Sequence, residues 1–238
     1  SLNRAELQQE LERVEGRLFW LDDDLYRNVD LEAEMAYHLT GLYPKWWKGR
    51  RFNKPITAWA GGVSNETTRD IVQFELLGSP DDPEAFGSGA IPRSCIIKTE
   101  RKPGVPNAKS VALIKHVSGG NSSLFFKAYE MGVEKWQGRS VDCIWLDEEP
   151  SRDIYSQAVT RTLDRKGMVY MTFTPEQGMT ETVASFMNNL QTGQSLTNAT
   201  WDDASETIMS LRGHKGHLDE SVICLLYTSP SPRDAHLS

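Results

Sequence analysis

The 238-residue sequence predicts an α/β fold built on a parallel sheet, and two observations carry that reading. The first is a pair of short apolar runs, residues 141–146 and 168–173, each bounded by polar residues. Strands buried on both faces look like this. The second is the helical pattern downstream of each run. Residues 151–163 and 179–190 have the apolar spacing of helices, the latter with Thr180 or Thr182 near its start. Strand, helix, strand, helix at this spacing implies crossover connections between parallel strands.

Composition narrows the class. Hydrophobic residues at 39% and charged residues at 25% are ordinary for a globular chain long enough to bury a core. No apolar run approaches the roughly 18 residues of a membrane span, and the first residues lack the apolar segment of a signal peptide. The missing initiator Met suggests a clipped or partial chain. A net charge of −7 excludes an overall basic coat, although it leaves room for a local basic face. The three cysteines, Cys95, Cys143 and Cys224, have neither zinc-site nor disulfide spacing. Cys143, inside an apolar run, is expected to be a buried, inert thiol in a reducing compartment.

Along the chain, Leu7, Leu11, Val14, Leu18 and Leu21 fall on one face of a helix over 3–21, with Asn3 and Glu6 as a capping box. A second helix is expected over 31–39, stopped by Gly41. Residues 43–52 interleave aromatics with bases, which fits either a nucleic-acid surface or a loop packing its tryptophans on the core. Residues 56–60 read as a strand, Gly61-Gly62 as a turn, and Ser64 as the N-cap of a helix reaching Leu77. Residues 78–89 read as a loop, 91–99 and 111–117 as strands, and 118–121 as a turn leading into Leu124-Phe125-Phe126. Residues 195–200 are a further strand candidate.

Parallel α/β sheets bind ligands beyond the carboxyl ends of their strands. The run Cys143-Ile144-Trp145-Leu146 ends in Asp147-Glu148-Glu149. A hard cation such as Mg²⁺ takes one or two carboxylates and keeps several waters, a role that suits Asp147. Glu148 is placed to act as general base toward water. A strand ending in solvated acids would look the same. The neighbouring run ends in Met171-Thr172-Phe173-Thr174-Pro175, whose hydroxyls would face the same strand tips.

Several segments together resemble one family. Residues 38–47 (His38-Leu39-Thr40-Gly41-Leu42-Tyr43-Pro44-Lys45-Trp46-Trp47), Trp59-Ala60-Gly61-Gly62, residues 126–130, residues 132–138 and residues 142–150 are similar, in order, to the ATPase domain of tailed-phage terminase large subunits. The resemblance covers roughly residues 32–222. It implies a parallel-sheet, additional-strand (ASCE-type) P-loop NTPase fold that works with ATP and Mg²⁺. It also implies Asp147 as the Walker-B metal acid, Glu148 as the catalytic acid, and Thr172 to Thr174 as the motif coupling hydrolysis to DNA movement. The implied function is the motor that packages double-stranded DNA into procapsids. Its partners would be the portal protein, a small terminase subunit and further copies in a ring, in the host cytoplasm during assembly and not in the mature virion. An arginine finger is expected of the family; Arg152 and Arg161 are candidates beside solvated readings. DNA-contacting residues are not assigned by the resemblance, and Lys45, Lys48, Arg50 and Arg51 are candidates by charge alone.

The sequence departs from the family in two places. No G-x-x-x-x-G-K-[ST] phosphate loop occurs, and the segment 23–30 where it belongs has no Gly and a net negative charge. The strand preceding that loop is not evident either, so the fold is expected to be incomplete through an internal deletion. At the other end, residues 224–229 (Cys-Leu-Leu-Tyr-Thr-Ser) read as a translation of the adapter TGTCTCTTATACACATCT, beside the reading of a natural Ser/Pro-rich tail. The expected organisation is therefore 1–31 as helix and deletion junction, 32–222 as ATPase core, and 223–238 as an adapter-derived, disordered tail. Two other functions fit: a helicase-like ASCE ATPase, and a catalytically dead module that only binds DNA or a ring partner.

Overall fold

The computed structural model describes residues 31–173 and 180–188, which lie within one compact unit. The helix expected over 3–21, the segment 23–30, Thr174, the strand candidate at 195–200 and the tail lie outside the described residues. Six strands make one sheet: β1 (Thr57–Gly62), β2 (Ile96–Arg101), β3 (Lys109–Lys115), β4 (Asn121–Ala128), β5 (Cys143–Asp147) and β6 (Met168–Thr172). Their order is β2-β3-β4-β1-β5-β6.

Strands β4, β1, β5 and β6 are parallel, and for β5 and β6 the strand-helix alternation predicts this. Strands β2 and β3 extend the sheet antiparallel, which the sequence pattern did not indicate. The cause is local. Between β3 and β4 the chain turns at once, with His116 N–H donating to the Gly120 carbonyl (3.1 Å) and Gly119 N–H to the His116 carbonyl (3.0 Å). A connection that short can only return antiparallel. The strand expected over 91–99 starts later, at Ile96, because a 3₁₀ turn over Arg93–Cys95 comes after Pro92.

Gly61 and Gly62 are not a turn: they finish β1, opposite Lys127 and Ala128 of β4. A Cβ on Gly61 would lie 2.6 Å from the Lys127 carbonyl oxygen and 3.1 Å from the Trp136 ring. Close strand approach, not chain reversal, explains the residue.

Helix α1 (Leu31–Thr40) ends where expected, with Gly41 at φ +73° against His116. Ser64 caps the next helix, its hydroxyl accepting from Thr67 N–H in a capping box. That helix is not uniform: α2 (Asn65–Thr67) passes into a π-helix over Thr68–Gln73 and then α3 (Phe74–Leu77). The π register brings Thr68 and Gln73, five residues apart, onto the same inward side. There the Thr68 hydroxyl accepts from Gly62 N–H (3.1 Å), and the Gln73 side-chain oxygen accepts from Lys109 N–H (2.7 Å). Two buried polar side chains are thereby satisfied by the sheet. Helices α4 (Arg152–Leu163) and α5 (Glu181–Asn188) come after β5 and β6.

Both faces of the sheet are covered. One buries Met35, Leu39, Leu76 and Leu77 against Ala58, Ala60, Leu124 and Trp145; the other buries Trp136, Ile154 and Ala158 against Trp59, Ile144 and Leu146. Cys95 and Cys143 are buried free thiols, and burial holds the Cys143 thiol well above its ordinary pKa. No described helix is long and apolar enough to cross a membrane.

Candidate functional site

Asp147 is the last residue of β5, and its register partner on β6 is Thr172. Parallel pairing thus brings two sequence-predicted residues side by side. The Thr172 hydroxyl donates to Asp147 Oδ1 (3.1 Å) and accepts from Trp145 Nε1 (3.0 Å). The indole, fixed in the core, orients the hydroxyl that orients the carboxylate. On the other side, a Cβ on Gly62 would sit 3.8 Å from Asp147 Oδ2, so the strand β1 tip leaves that oxygen room.

Burial raises the Asp147 pKa, against a smaller opposing pull from Thr172. No described residue forms an ion pair with Asp147, and no described group of three or more His, Cys, Asp or Glu could hold a metal. A partly desolvated carboxylate with one oxygen bound to Thr172 still fits a cation that keeps most of its waters, as Mg²⁺ does.

Glu148 comes next, exposed, with φ +64°. Its N–H donates to the Thr172 carbonyl (2.7 Å). Its carbonyl and that of Asp147 share the Tyr129 hydroxyl, at 2.9 and 2.8 Å. The phenol, partly buried and beside Asp147 and Glu148, has its pKa raised by desolvation, so it stays a donor. Glu149 turns away and accepts from Thr180, whose hydroxyl also accepts from Val183 N–H (3.2 Å) and so caps α5.

The arrangement brings Asp147, Glu148 and Thr172 together at one strand end; Thr174 lies outside the described residues. The two arginines diverge. Arg152, on the first turn of α4, pairs with Glu181. Arg161, on its last turn, donates to the Gly138 carbonyl (2.8 Å) at the other end of the helix. Tyr129, Trp145 and Gly62 were not singled out by the chemistry of the sequence.

This geometry sits in a chain that matches a known family. The model of the family described as terminase large subunit, T4likevirus-type, N-terminal, matches residues 32–213. The chain belongs to the terminase large-subunit family. The large terminase subunit of Salmonella phage P22 is 36% identical to it over 205 residues, covering 79% of this chain and 41% of that protein. The chain therefore spans about two fifths of that relative's length. No solved structure matches. The matched span of this terminase large-subunit chain includes every described residue of the candidate site, and it begins at the second residue of α1.

Proposed function

We propose that this module is the ATP-hydrolysing part of a phage motor that drives double-stranded DNA into a procapsid. What supports this reading is a single geometry: a partly desolvated Asp at an interior strand end, tethered to the next strand by Thr172, with an exposed Glu beside it. Asp147 would hold Mg²⁺ at the strand end, and Glu148 would serve as general base toward water. Bound Mg²⁺ supplies neutralisation of the phosphate charge. The coupling role falls to Thr172, which links Asp147 to β6, and to Thr174. Portal protein, a small terminase subunit and a ring of copies in the host cytoplasm belong to the same proposal.

This chain has no G-x-x-x-x-G-K-[ST] run, the sequence signature of a phosphate cradle. It carries the ion-and-water half of the site, and its ATP affinity is expected to be roughly millimolar. The missing loop favours one second reading, a module that binds DNA or a ring partner without hydrolysis. ATP titrations with and without Mg²⁺, on the natural chain and on Asp147→Asn, separate these. The expected result is weak binding that Mg²⁺ strengthens, with the gain lost in Asp147→Asn. Micromolar affinity in the natural chain overturns the idea of a half-site. An Mg²⁺ effect untouched by Asp147→Asn removes Asp147 from the metal role. Turnover that Glu148→Gln abolishes supports the enzyme; a complete absence of turnover supports the binding module.

A further inference from the structure

We propose that the end of the sheet opposite Asp147 is a docking surface for the phosphate backbone of duplex DNA, carried by the loop over residues 44–54. The choice of partner rests on the packaging function proposed for the module, but nothing in the surface depends on ATP hydrolysis.

The first observation is charge. Residues 35–65 contain no Asp or Glu, yet they hold Lys45, Lys48, Arg50, Arg51 and Lys54, in a chain whose net charge is −7. All five cations are exposed. The loop leads into β1, so it lies at the amino ends of the parallel strands, while Asp147, Glu148 and Glu149 lie at the carboxyl ends. These five cations and these three acids lie at opposite ends of the sheet.

The second observation is that the loop is held from within. Trp47 N–H donates to the Pro44 carbonyl (3.1 Å) and its indole N–H to the Arg50 carbonyl (3.0 Å). Arg51 donates to the Trp47 carbonyl (2.7 Å) and lies over the Tyr43 ring, 5.0 Å from its centroid. Arg50 lies 4.7 Å over Phe52, whose N–H donates to the Tyr43 hydroxyl (2.7 Å). Cations on a braced loop lose little freedom on meeting a ligand, so more of their attraction survives as affinity.

The third observation selects the duplex over a single strand. Holding single strands needs open aromatic faces on which bases stack. Trp47 is 7% exposed, packed edge-on against Tyr37 (5.5 Å) and His38 (6.1 Å). Trp46 is 39% exposed but packs its ring against both Tyr37 (6.4 Å) and Trp47 (6.1 Å). The loop thus offers charges rather than stacking platforms. A duplex, with its bases already stacked inside and its phosphates outside, is met in that way.

The test is fluorescence anisotropy of a labelled duplex with the whole 238-residue chain, without nucleotide, across a salt series. The triple variant Lys45→Gln, Lys48→Gln, Lys54→Gln is expected to weaken binding about tenfold or more near 0.1 M salt. It should also lower the slope of log K against log[salt] by about 2 to 3, close to one for each phosphate that a lysine no longer neutralises. Replacing the same three lysines by Arg, and replacing the exposed Lys98 and Arg101 of β2 by Gln, should each leave binding unchanged. An unchanged slope in the triple variant overturns the assignment, as does an equal loss in the β2 variant. A preference for single strands that Trp46→Leu removes overturns the choice of duplex. A natural chain that fails to bind duplex at low salt overturns the surface altogether. The ATP titrations at Asp147 stand apart from every one of these outcomes.

Discussion

Glu148 has a Cβ and a φ of +64°, a conformation that costs a side-chain-bearing residue about 1 kcal/mol. Two neighbours hold it there, the Thr172 carbonyl on its N–H and the Tyr129 hydroxyl on its carbonyl. Glu148→Gly should therefore raise the unfolding midpoint by about 1–3 °C, while removing any turnover. A lower midpoint in a thermal melt would show that no strain is stored there. At this scale the sequence was half legible. Asp147 and Glu148 stood out because acids end an apolar run. Tyr129 did not, because its hydroxyl serves backbone carbonyls 18 and 19 residues away and leaves no spacing to read. The left-handed turn was hidden for another reason: glycine or asparagine usually marks one, and here the residue is Glu.

Among the elements, apolar runs located the strands but not their directions. The parallel half came from the helices between strands; the antiparallel half depended on the short connection over 116–120, which in sequence shows only as a turn. Gly61-Gly62 was misread because a glycine pair in sequence suggests reversal, whereas close approach to Lys127 is visible only across the sheet. The two glycines should now behave differently. Gly61→Ala forces a methyl against a backbone oxygen at 2.6 Å and is expected to cost about 1–3 kcal/mol. Gly62→Ala meets only ordinary contacts, the nearest the Thr68 hydroxyl at 3.5 Å, and should leave the fold within about 0.5 kcal/mol. Denaturant unfolding of both variants checks this; equal losses would mean that the β1 tip is tight throughout. The π-helix was equally hidden in the sequence, since Thr68 and Gln73 choose it by what they reach in the sheet.

For the whole molecule, the resemblance read over residues 32–222 agrees with the family match over 32–213, because the strand-end acids and the Trp-rich segments are short, ordered signals. Less legible was how charge would be distributed. A net charge is a sum, and the sheet sorts that sum, placing the loop over 44–54 at one end and Asp147, Glu148 and Glu149 at the other. The consequence reaches the bench. A chromatography resin samples the end it touches, not the total. This chain, at −7, should be retained at neutral pH and low salt on a heparin column as well as on an anion exchanger. Removing Lys45, Lys48 and Lys54 should abolish the first retention and strengthen the second.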